Sequence, residues 1–567
     1  MQRRDKKLAG LCISLAAVSA GCTPAQYATE ADRDAYATVR QSQQFALGAD
    51  RQFDIAYHPD AQDQDKAASS IHVARRVLPL GKGKVQTLTL EECSEIALHY
   101  SRAFQARKES LYTAALGLAN SRRGWNFPLL GGAVAGEAGR SVVNRGAETN
   151  TGDLASEGTL TQQLVHGGAL TLGLGANMAS DLLGWNSTTL GSLLSANFTQ
   201  PLLRGAWRGL AYEQQYRAER DFVFSVLEYE RFTQTFAVDI LTRYYAVLQQ
   251  RDRLENERAN IKRLEETFAL TKVLVTGGVR SPIEQDQAEQ NLIDARIRFE
   301  TEQQQYRNAL DQFKITLGLP LAAQVDLDYP GALQELGKIG PKKIPVAESE
   351  ALAVAMETRP DVLREGAAVR DAERDVEIAA DAFLPALDVT LGISAAGTEP
   401  HRADRVGFHR HTRGVSTTLD YDLDQTDNRD AYRNTLLAQD AARRSYQEFL
   451  DELRLEIRRS YRSLLQSRNS YELELRNFEI AKRRRKLAVL QQKEGEASAR
   501  DVLEAEDALR RAQNGVTNAL ISYTTTRLSF LTSLGLIRVD EKGTLHERAN
   551  PFKFDRLRRR YPYVGGR

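Results

Sequence analysis

Residues 272–289 read KVLVTGGVRSPIEQDQAE, and residues 489–506 read VLQQKEGEASARDVLEAE. In each, a helical pattern runs into a glycine, a serine follows three residues later, and a return helix begins. Gly278 and Gly495 differ by 217, as do Ser281 and Ser498, Ala288 and Ala505, Glu289 and Glu506, and the later Gly318 and Gly535. The chain therefore contains a duplicated unit, and its return helices align without a gap. Upstream, Leu88-Thr89-Leu90-Glu91-Glu92 opens the first unit, with Thr89 and Glu92 spaced as a capping box. Residues Ala347 to Leu352 open the second. Ala97 and Ala355 differ by 258 rather than 217, so the first unit carries 41 extra residues in its front half.

The helices between these landmarks are long. No proline occurs from 202 to 281, from 283 to 319 or from 401 to 550, and proline is excluded from helix interiors by its missing N–H and its clash with the previous turn. The stretch Trp207 to Val275 predicts a helix of ~100 Å at 1.5 Å per residue. Ile261, Leu264, Phe268, Thr271 and Val275 step by four and three, as do Leu450, Leu453, Ile457, Tyr461 and Leu464, continued by Tyr471, Leu475 and Phe478. That is the spacing of coiled-coil packing. Shorter segments alternate with period two: Leu170 to Ala176, Leu387 to Ile393 and Thr418 to Leu423. They read as half-buried strands, and the extra 41 residues include a hairpin around His166-Gly167-Gly168, in a sheet wall or in an external loop.

Composition narrows the class. Of 567 residues, 76 are basic and 75 acidic, which argues against a nucleic-acid partner. Arg3, Arg4, Lys6 and Lys7 precede a short apolar run, Leu8 to Ala20, and residues 1–21 read as a signal peptide. Val18-Ser19-Ala20-Gly21-Cys22 resembles a bacterial lipobox, with Cys22 as the lipidated residue; an ordinary signal peptide cut nearby is the alternative. Residues 22–85 are polar and read as an extended or partly ordered periplasmic arm. Beyond Cys22 the mature chain keeps only Cys93, which suits a buried apolar role and allows no internal disulfide or zinc cluster. No later stretch reaches the ~18 apolar residues of a membrane-spanning helix, so any membrane part has to be a β-barrel.

The pattern as a whole resembles a known family. Ala355-Met356-Glu357-Thr358-Arg359-Pro360-Asp361, Gln200-Pro201-Leu202-Leu203-Arg204-Gly205, the two glycine turns and Leu317-Gly318-Leu319-Pro320 are similar to the corresponding segments of TolC-type outer-membrane efflux proteins. The resemblance covers residues 86–538: a first repeat at 86–320, a linker at 321–345 and a second repeat at 346–538, followed by a tail at 539–567. It implies a mainly α fold with membrane strands, four per subunit. Three copies would form a periplasmic α-barrel and share a twelve-stranded β-barrel. It also implies a non-enzymatic duct without cofactors, lipid-anchored in the outer membrane and fed by a periplasmic adaptor and an inner-membrane pump.

By the same resemblance, Gly278, Val279, Arg280 and Ser281, with Gly495, Glu496, Ala497 and Ser498, are the adaptor-docking tips. Asp501 and Glu504 fall where the family has two pore-facing acids. Six carboxylates around an aperture would favour cations and raise one another's pKa. Glu284 falls on a position that helps latch the closed tip, but its partner positions hold Ala497 and Gln492, which lack the family's chemistry; Arg280 or Arg500 is the substitute. His401, His409 and His411 read as exposed loop histidines rather than metal ligands, and the basic run at 556–560 as a solvated tail. The rival reading from another class is a periplasmic coiled-coil scaffold without a pore. It gives no role to the alternating segments between the helices.

Overall fold

The structure is a computed structural model, and it describes residues 24–48, 53–56, 85–126, 129–143, 147–181, 189–339, 346–400, 408–494, 496–540, 542–548, 554 and 557. Cys22, Gly495, His401 and Trp185 lie outside the described residues. In chain order, helix α1 (Pro24–Leu47) precedes strand β1 (Gln86–Leu88) and helices α2 (Leu90–Tyr100) and α3 (Arg102–Asn126). Strands β2 (Leu129–Val143), β3 (Ala147–Gln163), β4 (Ala169–Asp181) and β5 (Thr189–Pro201) follow, and a single turn at Arg208–Ala211 leads into α4 (Glu213–Thr276) and α5 (Pro282–Leu317). The second half runs β6 (Val325–Leu327), α6 (Tyr329–Ile339), α7 (Glu348–Thr358), α8 (Pro360–Asp381), β7 (Ala386–Pro400), β8 (Arg410–Asp420), α9 (Thr426–Lys493), α10 (Ala499–Ser533), β9 (Ile537–Val539) and β10 (Leu545–Glu547).

The helices are as long as the proline gaps predict: α4 has 64 residues and α9 has 68. Each folds back on a shorter partner, α4 on α5 and α9 on α10. The buried stripe of α9 is Tyr446, Leu453, Ile457, Leu464, Ser467, Tyr471, Ala481, Ala488 and Gln492, spaced by threes, fours and their sums from 446 to 492. Leu475, placed on this seam by its spacing, is instead more than a third exposed. The expected capping box forms, with Thr89 Oγ1 accepting from the Glu92 N–H and a Glu92 carboxylate oxygen accepting from the Thr89 N–H at 3.0 Å. Cys93 is fully buried, and burial pushes its thiol pKa up.

The duplication is also visible in three dimensions. Gly318 closes the first repeat at φ +80°, and a Cβ there would lie 2.0 Å from the Tyr100 carbonyl oxygen. Gly535 closes the second at φ +68°, against Thr358. Tyr100 and Thr358 are 258 apart, so each repeat ends on the tip of its own opening helix. A left-handed backbone pressed against another backbone leaves room only for glycine.

All six long strands join one antiparallel sheet in the order β2-β3-β4-β5-β7-β8. This corrects the four strands per subunit implied by the resemblance. The extra 41 residues form β3 and β4, and His166-Gly167-Gly168 lies in the turn between them, closed by the Gly167 N–H to Leu164 carbonyl bond at 2.9 Å. One sheet face is apolar and exposed: Leu170, Leu172 and Leu174 on β4, Leu194 on β5, Leu391 and Ile393 on β7, Val415 and Leu419 on β8. The opposite face carries Thr171, Ser195, Asn197, Thr390, Ser416 and Thr418, with Thr199 and Thr390 sharing a 3.0 Å hydroxyl bond.

Three segments are more structured than their composition suggests. Part of the expected extended arm is α1, whose Ala35 and Val39 pack with Leu111, Ala115, Phe222 and Val226. The linker contains β6, parallel to β1, and α6. In the tail, Phe554 and Leu557 are buried beside Phe224, Leu227 and Leu363, so Leu557 is packed rather than solvated. In each case a few small or apolar residues, too sparse to signal on their own, find a prepared surface on α3, α4 or α8.

The Arg359-Pro360-Asp361 motif ties the front helices to the long ones. Pro360 starts α8. Asp361 accepts from Arg359 at 2.5 Å and from Arg231 of α4 at 3.1 Å, while Arg359 reaches Glu456 of α9 at 2.8 Å. Burial alone would raise the Asp361 pKa, but the two arginines outweigh it and hold the carboxyl below its usual range. A depressed carboxylate stabilises the fold above its unfolded pKa and loses that contribution as pH falls through the folded one. Asp361→Asn should therefore destabilise by about 3 kcal/mol at neutral pH. Thermal denaturation across pH should show its deficit against wild type shrinking below about pH 4; a deficit independent of pH would refute the electrostatic account.

Candidate functional site

The turn at Gly278 and residues 496–498 lie side by side at the ends of the two long hairpins. At the first, Gly278 adopts φ +73°, the Val279 N–H reaches back to the Leu274 carbonyl at 2.9 Å and the Gly278 N–H to that of Val275 at 3.0 Å. These two bonds define a Schellman cap. At the second, the Glu496 N–H bonds the Gln491 carbonyl at 2.9 Å, the same bond 217 residues later. Ser281 then caps α5 by accepting from the Ile283 N–H, and Ser498 caps α10 by accepting from the Asp501 N–H, both at 3.3 Å.

Asp501 belongs to this cap. Its carboxylate accepts from the Ser498 hydroxyl at 2.7 Å and the Ser498 N–H at 2.9 Å. These bonds, the hydroxyl first, hold its pKa below the ordinary carboxylate value. Within the subunit the shift thus runs opposite to the rise expected from mutual repulsion. Asp501 and Glu504 share one exposed face of α10, while Val502, Leu503 and Ala505 turn inward. That face is not purely acidic, because Glu504 pairs with Arg500 at 3.3 Å and Arg484 at 3.8 Å.

Within the subunit, Glu284 and Arg280 join the two turns. The Arg280 guanidinium donates to the Ala497 carbonyl at 2.7 Å. Glu284 accepts from the Ala499 N–H at 3.2 Å, placing a carboxylate on the first free N–H groups of α10. Side-chain identity at Ala497 and Gln492 gives no sign of this pairing, because the partners are backbone groups, which every residue carries.

A second set of ties has no sequence signature either. Glu506 is 1 % exposed and sits between Arg263 of α4 at 2.5 Å and Arg485 of α9 at 2.6 Å. Farther up, Glu257 of α4 is buried between Arg298 of α5 at 3.3 Å and Arg510 of α10 at 3.6 Å. In the sequence Glu506 is one glutamate among many, and its repeat counterpart Glu289 is exposed. Only the packing of one hairpin on the other separates them. Among the described residues no cluster of His, Cys, Asp and Glu could hold a metal ion, and no helix is long and apolar enough to cross a membrane.

Comparison with known proteins agrees with this geometry. Residues 351–536 match the outer membrane efflux protein family. No curated relative matches the chain in sequence. In fold the chain is similar to the outer membrane channel CmeC of Campylobacter jejuni, at 14% identity and TM-score 0.57, covering 92% of this chain and 94% of that one. The MtrE outer membrane channel of Neisseria gonorrhoeae in its open state gives 14% and 0.57 over 79% of this chain and 88% of its own. CusC, solved in connection with transmembrane channel formation, gives 13% and 0.58 over 79% and 92%. The fold of these channels therefore extends over both repeats.

Glu506→Gln leaves two partly buried guanidinium groups without the buried carboxylate between them, a loss of about 2–3 kcal/mol once solvent screening of the arginines is allowed for. Hydrogen exchange should accelerate selectively in the first turns of α10 and the facing part of α4. Unchanged protection there would show that the cluster does not hold the hairpins together.

Proposed function

We propose that the chain is one subunit of a trimeric outer-membrane export duct that passes substrates from an inner-membrane pump and a periplasmic adaptor to the exterior, without covalent chemistry. The observation that carries this reading is the sheet: apolar and exposed on one face, largely polar on the other, and unpaired at β2 and β8 among the described residues. Every residue of β8 is exposed. Apolar-out, polar-in strands are what a membrane barrel needs, and free edges require further copies to close them. The helices make the same demand. Leu473, Ile480 and Leu487 lie seven apart on α9 and stay exposed, as do Ile283, Ile293 and Ile297 on α5. These are coiled-coil stripes awaiting a neighbour. A pore-free scaffold accounts for the stripes but not for the two-faced sheet.

In this reading the residues 278–281 and 495–498 are the adaptor-docking tips, and Asp501 and Glu504 face the aperture. Arg500 and Arg484 beside Glu504 moderate its cation preference. Arg280 and Glu284 act as the latch, holding the two turns of each subunit together while the tip is closed. Cys22 carries the lipid anchor in the outer leaflet's periplasmic partner. Asp501, with its depressed pKa, stays charged to lower pH than an ordinary carboxylate.

Conductance of the purified full-length protein in planar bilayers tests the duct. Wild type should be mostly closed, and Asp501→Ala with Glu504→Ala should conduct more. Silence in both forms would overturn the duct reading. Arg280→Ala removes a charged hydrogen bond of about 1.5–3 kcal/mol, so the open state should gain ~10-fold or more; an unchanged open fraction would remove Arg280 from the latch.

A further inference from the structure

We infer that the assembled barrel of this protein has eighteen strands rather than twelve, and a correspondingly wider outer bore. The inference rests on the trimeric duct proposed above. Its basis is the place of the inserted hairpin in the sheet. In the second repeat, β7 and β8 pair directly with each other. The repeat offsets of 258 and 217 map them onto β2 and β5. These two do not pair; β3 and β4 stand between them, bonded to both sides over their length.

The insertion is a wall element by three observations. Its registers are continuous, so Leu160, Leu172, Ala196 and Ile393 form one row across β3, β4, β5 and β7. Its apolar residues Leu170, Leu172 and Leu174 fall on the same exposed face as Leu194, Leu391 and Val415, which a loop lying outside the wall would not need. Its turn is fixed at the helical end of the sheet: the Gln200 side chain donates to the His166 carbonyl at 3.0 Å and that of Gln162 to the Trp125 carbonyl at 2.7 Å. Six strands also preserve closure. β2 runs away from α3 and β8 runs back into α9, so β8 of one copy meets β2 of the next in antiparallel sense, as neighbours within the sheet do.

Strand number sets barrel width. With strands ~4.8 Å apart and tilted ~40°, eighteen close at a backbone diameter of ~36 Å and twelve at ~24 Å. Barrels of sixteen to eighteen strands enclose an aqueous channel. The helical body beneath keeps two hairpins per subunit, so the outer end would be the wide end of the duct, and exclusion by size would fall to the helical tip.

Electron cryo-microscopy of the full-length protein in lipid nanodiscs, with its mass measured in parallel, tests the count. A trimer with eighteen wall strands and a β8–β2 seam is the expected result. A trimer with twelve, with β3 and β4 folded away and β2 against β5, overturns the inference and leaves the duct standing. A dimer closing at twelve overturns it as well, and a monomer removes the duct reading with it. A second readout is polymer exclusion from the barrel side of planar bilayers. Deleting residues 147–187, the 41 extra positions, should reduce the largest admitted polyethylene glycol diameter by about a third. A folded, conducting deletion variant with an unchanged cut-off would contradict the wide wall.

Discussion

A strand edge facing hydrocarbon leaves a row of N–H and C=O groups without partners, and each unsatisfied group costs several kcal/mol where no water can replace it. The sheet of this chain leaves an edge unpaired on both sides among the described residues, at β2 and β8, and exposes an apolar face. Much of the rest follows from that constraint. In the proposed duct, subunits meet edge to edge, and the helices that continue from the strands are brought together as a consequence. One exposed stripe lies on α9, which continues from β8, and another on α5, the return helix of the first hairpin. The sheet and the helical body therefore make one demand for neighbours, in lipid and in water.

The duplication provides the means. A unit that opens with two helices, crosses a sheet and returns through a long hairpin has been used twice, and both copies close with a left-handed glycine pressed on the end of the opening helix. The copies differ at the sheet and at the turn. The first gained a hairpin in the sheet. The second has the acidic pair Asp501 and Glu504 after its turn, where the first has Glu284 reaching across to the other repeat's helix.

At the tip, hydrogen bonding and charge do different work. Caps and backbone bonds hold the two turns in place, and the carboxylate of Asp501 is part of that scaffold as well as part of the exposed face. Above it, Glu506 and Glu257 are sealed between arginines from other helices. Buried pairs of this kind are weak contributors to net stability but expensive to break, which suits an arrangement that fixes the register of one hairpin on the other.

Much of this architecture was legible in the sequence because it depends on local and periodic physics. Proline exclusion marked the long helices, three-and-four spacing marked their seams, the glycine offsets revealed the repeat, and Thr89 with Glu92 announced a helix start. What the sequence could not determine depends on partners far away along the chain. Period-two alternation does not say how many strands share a sheet, so β3 and β4 were ambiguous between wall and loop. Ala35, Val39 and Leu557 carry too little apolar pattern to declare a packed segment until α3, α4 and α8 supply the surface. Glu284 and Arg280 bind backbone groups, which leave no signature in side-chain identity. Glu506 and Glu289 are equivalent by repeat, and only the tertiary structure buries one and exposes the other, because burial is a property of the neighbouring helix rather than of the residue.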